Sequence, residues 1–126
     1  MPAPTRRMLI VDDEQRICQS LAEFFRLRGF VILVAHSGEE ALACLKEGPV
    51  DVALIDILLP GIHGLEVVKQ AKQLYPTALV VVISALEDDH LRTQARALGV
   101  EAYVTKPFDL SESTWATVLS LVNTTE

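Results

Sequence analysis

Five polar residues stand where apolar runs end: Asp12 and Asp13 after residues 8–11, Asp56 after 50–55, Ser84 after 78–83, and Lys106 just past 100–104. A single aspartate in such a place is commonly no more than a solvated strand end. Carboxylates brought together in one small pocket repel each other and raise one another's pKa. Once ionised, they call for a cation. Hard oxygen donors with no histidine or cysteine cluster suit Mg2+ or Mn2+, with water completing an octahedron. An ammonium and a hydroxyl facing the same carboxylate would complete a clamp for phosphoryl oxygens, because phosphoryl transfer depends on positioning and charge neutralisation. At its centre Asp56 has the chemistry of a nucleophile that becomes an acyl phosphate.

The rest of the chain must bring these groups together. Residues 8–11 (MLIV) read as a short buried strand, followed by the acids Asp12, Asp13 and Glu14. Ile17, Leu21, Phe24 and Phe25 recur at helical spacing, with Arg26 and Arg28 before a stop at Gly29. A strand over 30–35 precedes Ser37, whose spacing to Glu40 is that of a capping box. That helix carries Ala41, Leu42 and Leu45 and ends at Gly48-Pro49. The strand over 50–55 ends at Asp56, and a glycine-rich loop leads to a helix with Leu65, Val68 and Leu74, closed by Tyr75-Pro76. A continuously apolar strand over 78–83, a helix marked by Leu91, Ala95 and Leu98, a strand over 100–104 and a final helix over 110–122 complete the order. Strand and helix alternate five times. That pattern predicts an α/β fold: a doubly wound, flavodoxin-like (βα)5 domain with a five-stranded parallel sheet. In such sheets, sites form beyond the carboxyl ends of the strands, where all five polar residues would lie.

At 126 residues, half of them hydrophobic, the chain is one domain with an ample core. A net charge of −6 argues against nonspecific nucleic-acid binding. No apolar run reaches membrane-spanning length, and residues 1–7 have no signal-peptide core. Cys18 and Cys44 lack metal-site spacing and read as reduced, semi-buried thiols of a cytoplasmic protein. The expected layout is a loose arm over 1–6, one domain over 7–122, and a tail or the start of a linker over 123–126.

Over residues 7–122 the sequence resembles the receiver domains of bacterial two-component response regulators. The resemblance rests on Ile10-Val11-Asp12-Asp13-Glu14, on Asp56-Ile57-Leu58-Leu59-Pro60-Gly61 with Gly64, on Ser84-Ala85, and on Tyr103-Val104-Thr105-Lys106-Pro107-Phe108. It implies the strand order 2-1-3-4-5 and a phosphorylation-activated switch rather than an enzyme. Asp56 would accept a phosphoryl group from a histidine kinase, a phosphotransfer protein or a small donor. Asp12, Asp13, Asp56 and the backbone carbonyl of Leu58 would hold Mg2+ or Mn2+. Lys106 would bind a phosphoryl oxygen, its bond to Pro107 being cis. Ser84 and Tyr103 would move on phosphorylation, with small Ala85 leaving room. The change would be displayed on the face formed by helix 4, strand 5 and helix 5.

Two further readings share the fold. A haloacid-dehalogenase-like phosphatase needs a second aspartate two residues past its nucleophile, where this chain has Leu58. A flavodoxin-like FMN binder needs a phosphate loop after strand one, where Asp12-Asp13-Glu14 would repel a phosphate. Leu58 and Leu86 offer no group to orient an attacking water, which suggests either slow self-dephosphorylation or two leucines that simply cover the pocket. His63 reads as an exposed loop residue, and His36 and His90 as residues at helix starts. On the last helix Leu110, Thr114, Val118 and Leu121 form a stripe toward the sheet. Trp115, Leu119 and Val122 form a second, read as a contact surface for another copy, a kinase or an output domain. Residues 107–126 contain no Lys or Arg, and Ala102 stands where the winged-helix subfamily commonly has an acid, which weakens that subfamily's salt-bridged dimer mode.

Overall fold

The computed structural model describes residues 6–85 and 88–123, the last three of these through their backbone alone. Five strands alternate with five helices: β1 Arg6–Val11, α1 Gln15–Arg26, β2 Phe30–Ala35, α2 Gly38–Glu47, β3 Val52–Asp56, α3 Gly64–Leu74, β4 Leu79–Ser84, α4 Asp89–Ala97, β5 Ala102–Thr105 and α5 Ala116–Asn123. All strand pairs are parallel and the order is β2-β1-β3-β4-β5, as expected. Arg6 belongs to β1 rather than to an arm, paired in register with Phe30. Residues 1–5 and 124–126, and with them most of the arm and tail, lie outside the described residues.

Strand alternation divides the core between two faces. Met8 and Ile10 of β1 point to one side, where they meet Phe24, Phe25, Trp115 and Val118 of α1 and the α5 region. Leu9 and Val11 point to the other, against Leu45, Val67, Val68 and Ala95 of α2, α3 and α4. β3 is buried along its whole length. This double burial explains why its sequence is continuously apolar rather than alternating.

Local signals set the element ends. The Ser37 hydroxyl accepts the Glu40 N–H at 3.1 Å, as the capping box requires. The reciprocal bond differs from the standard box: Glu40 accepts from His36 N rather than from Ser37 N. At the start of α3, a Cβ on Gly64 would overlap the Asp56 carbonyl and the Ile57 backbone. Only glycine lets this helix begin so close to the end of β3.

The last helix corrects the sequence reading twice. It starts at Ala116 instead of near 110. Asp109 accepts hydrogen bonds from Ser111 Oγ at 2.7 Å and from Thr114 Oγ1, while Ser111 Oγ accepts from Thr114 N at 3.2 Å. Such short polar side chains offer the backbone an alternative to helix, and Leu110 is left 41% exposed outside the helix. Second, the supposed contact stripe is core. Trp115 is 1% and Leu119 7% exposed. The indole packs edge-on against Phe25 and Phe108 and donates to the Asp109 carbonyl at 2.9 Å. Both residues face the core together with Val118, so they offer no free docking surface; the side chains of Leu121 and Val122 lie outside the described residues. Trp115→Ala is expected to destabilise the domain by about 3–5 kcal/mol, the cost of emptying a large core site. Denaturant unfolding checks this, and a loss below ~1 kcal/mol would mean the indole is not a core element.

Candidate functional site

The carboxyl ends of β1, β3, β4 and β5 deliver the expected residues to one sheet edge. Asp12 follows β1, and its N–H donates to Ala35 O at 3.1 Å, continuing the β1–β2 ladder. Asp56 ends β3, in register with Ile83, one residue before Ser84. Lys106 N donates to Ser84 O at 2.8 Å, which holds the lysine beside the end of β4. The peptide bond from Lys106 to Pro107 is cis. Asp12, Asp56 and Ser84 are the three buried polar residues of the described chain.

Their charges meet at one ammonium. Lys106 Nζ lies 2.8 Å from Asp12 Oδ2, 2.9 Å from Asp56 Oδ2 and 3.3 Å from Glu14 Oε2. The other oxygens are held by backbone: Asp12 Oδ1 accepts from Glu14 N at 2.9 Å and Asp56 Oδ1 from Leu58 N at 3.0 Å. Burial pushes the Asp56 carboxyl above its ordinary range; Lys106 and the Leu58 N–H oppose the shift, and the charge of Asp12 adds to it. Burial alone would lower the pKa of Lys106, but the two carboxylates beside it outweigh that, and the ammonium is held firmly charged.

Asp12, buried Asp56 and exposed Asp13 each present a carboxylate oxygen, all within 4.8 Å of one another. This set fits a hard divalent cation. Asp12 Oδ2 is buried and receives no aligned hydrogen bond, since Lys106 meets it as an ion pair without hydrogen-bond geometry. An acceptor oxygen with spare capacity, inside a group of carboxylates that one ammonium cannot neutralise, suits a hard divalent cation. Leu58 contributes its N–H to Asp56, while its side chain is 49% exposed at the mouth of the site.

The structure adds residues that the sequence reading left without a role. Glu14 reaches the same ammonium from an exposed position. Beneath Asp12, Cys18 Sγ donates to the Asp12 carbonyl at 3.2 Å, and His36 Nδ1 lies 3.1 Å from the same oxygen. Burial, then the charge of Asp12, pushes the Cys18 thiol up to about 11, so it is unreactive near neutral pH. Both cysteines are free thiols. Nothing in local sequence pairs residues 12, 18 and 36; the parallel β1–β2 register places His36 and the docking of α1 places Cys18. His63 is exposed, as expected, but it also caps α3, its Nδ1 accepting from Leu65 N at 3.1 Å.

Residues 8–116 match the family described as the response regulator receiver domain. The chain belongs to that family. This receiver domain is 35% identical over 103 residues to the transcriptional regulatory protein CpxR of Klebsiella pneumoniae, a match covering 82% of this chain and 44% of that one. It spans less than half the length of the curated relatives it matches. Its fold superposes on a CheY-like receiver domain protein from Methanospirillum hungatei with a TM-score of 0.88, at 24% identity over 95% of each chain. A response regulator from Burkholderia pseudomallei, solved with a phosphorylated aspartic acid, a calcium ion and citrate, matches with a TM-score of 0.81 and 25% identity over 94% of this chain and 71% of that one. As a receiver domain of the two-component type, the chain is a phosphorylation-activated signalling switch.

A carboxyl whose pKa is higher in the folded than in the unfolded state contributes stability that is complete in acid and is lost as pH rises through the folded pKa. Asp56 is such a group. In metal-free buffer Asp56→Asn is therefore expected to raise the melting temperature at pH 7, with the gain shrinking as the pH approaches the carboxylate range. Thermal melts across pH test this; an equal gain at every pH would remove Asp56 ionisation as its cause.

Proposed function

We propose that Asp56 is the phosphoacceptor of this switch and that Lys106 and Ser84 serve the transferred group. The observation that carries the reading is the Lys106 ammonium lying between the Asp56 and Asp12 carboxylates at 2.9 and 2.8 Å. A carboxylate oxygen of Asp56 attacks the phosphorus of a phosphohistidine on a kinase or phosphotransfer protein, or of a small acyl phosphate. The P–N or P–O bond to the donor breaks, an acyl phosphate forms on Asp56, and the leaving group takes up a proton. Lys106 already touches the acceptor, and so can follow the charge onto the phosphoryl oxygens without reorganisation. Ser84, at the end of the adjacent strand, would supply a hydroxyl to the transferred group. Mg2+ or Mn2+, held by Asp12, Asp13, Asp56 and the Leu58 carbonyl, would neutralise the phosphoryl charge when bound.

The domain is thus a substrate of phosphotransfer and not an enzyme acting on a small metabolite. The competing readings fare poorly. Leu58 puts an alkyl group where a phosphatase needs its acid, and the β1 end carries acids rather than phosphate-binding hydroxyls. No helix among the described residues is long and apolar enough to cross a membrane, and a cytoplasmic setting suits a kinase partner. Phosphorylation would bias two existing arrangements of Ser84, Tyr103 and the α4–β5–α5 face, and so control an output domain or partner.

Incubation with acetyl phosphate and Mg2+ should add one phosphoryl group by intact mass, and Asp56→Asn should add none. No gain by the wild type, or equal gain by the mutant, would refute the assignment. The half-exposed Leu58 side chain gives an attacking water no partner; Leu86, paired with it in this argument, lies outside the described residues. Leu58→Asn is expected to shorten the acyl-phosphate half-life severalfold, as followed by loss of the added mass over time.

A further inference from the structure

α4 is the helix least secured by apolar burial. It buries only Ala95, whereas α1 buries five residues and α3 buries four. Its N-terminus is well capped: Asp88 Oδ1 accepts from His90 N at 2.8 Å and from Leu91 N at 3.2 Å. Leu91 and Leu98 pack only partly buried beside Ala95, and a polar side chain reaches from the helix body to β5. The Arg92 guanidinium lies 4.3 Å from the centre of the Tyr103 ring, and its Nη2 donates to Thr105 Oγ1 at 2.9 Å. Tyr103 and Thr105 are two residues apart on β5 and so share a face. Thr105 is in register with Ser84 and precedes Lys106. One planar cation therefore grips the switch tyrosine and the residue linking both phosphoryl-binding side chains.

We propose that Arg92 is a positioning residue that clamps α4, Tyr103 and Thr105 in the arrangement of the unphosphorylated domain, so that activation must release it. The proposal rests on Asp56 being the phosphoacceptor. The chemistry is specific to arginine: a flat guanidinium can stack on the ring and still direct an N–H at the hydroxyl, whereas an ammonium cannot do both from one position. A group that stabilises the resting arrangement alone weakens binding of any ligand that favours the other one. Loss of the clamp should therefore tighten the binding of a phosphoryl mimic, with Arg92 acting through Tyr103 and Thr105 rather than on the site carboxylates.

The test uses beryllofluoride with Mg2+ as the phosphoryl mimic, titrated by amide NMR into wild type, Arg92→Ala, Arg92→Lys and Thr105→Val. Arg92→Ala should lower the apparent Kd roughly fivefold, as the loss of one cation–π contact and one hydrogen bond implies. Arg92→Lys should fall between it and wild type, and Thr105→Val should tighten binding more modestly. A merely structural arginine would lower the melting point without tightening the mimic. Unchanged or weaker binding by the Ala variant overturns the clamp. Should that variant fail to fold, Thr105→Val decides in the same sense, with unchanged binding counting against the clamp. Binding that Asp56→Asn leaves intact, or no saturable binding by wild type, overturns the phosphoacceptor reading and the clamp with it. A wild type and an Asp56→Asn variant that behave as expected, beside an unmoved Arg92→Ala, overturn the clamp alone.

Discussion

The arrangement depends on one ammonium shared by carboxylates from different strands. Lys106 Nζ bridges Asp12 and Asp56 within hydrogen-bonding range, from the end of a strand that pairs with neither. Without it, two buried carboxylates would face each other at a cost that neither could avoid except by taking up a proton. With it, the site is held together but not neutralised, since Asp13 and Glu14 stand alongside. That residual negative charge suits a hard divalent cation at the strand ends.

The scaffold makes this geometry inexpensive to maintain. Parallel strands β1, β3, β4 and β5 all deliver their last residues to the same edge, and both faces of the sheet are packed with apolar side chains. Backbone N–H groups of Glu14 and Leu58 orient the carboxylates alongside the ammonium. Gly64 allows α3 to start against the Asp56 carbonyl, which keeps the loop between them tight. α4 is held more loosely, by Ala95, the partly buried Leu91 and Leu98, and Arg92. A switch needs that division: fixed chemistry at the strand ends and a neighbour that can move with little loss of burial.

Much of the fold, and the residues that meet at the candidate site, were legible in the sequence, because the signals were local or repeated. Apolar runs of strand length alternating with helical periodicity specify a parallel α/β sheet, and acids or a lysine at the run ends mark its functional edge. Helix 5 was misread for a physical reason. Apolar spacing over 110–122 is compatible with a helix, but Asp109, Ser111 and Thr114 bond among themselves and delay its start. Trp115 and Leu119 face the core beside Val118, so residues that looked like a docking surface are packing.

The sequence by itself determined the alternation of elements, the identity of the carboxylates and lysine, and the family, since each follows from residue type and spacing along the chain. The tertiary structure decided what spacing cannot encode. It placed Cys18 and His36 on the Asp12 carbonyl, and it brought Glu14 to Lys106. It also laid Arg92 across Tyr103 and Thr105. These contacts join residues from different elements through strand register and helix docking, and a one-dimensional pattern carries no record of either.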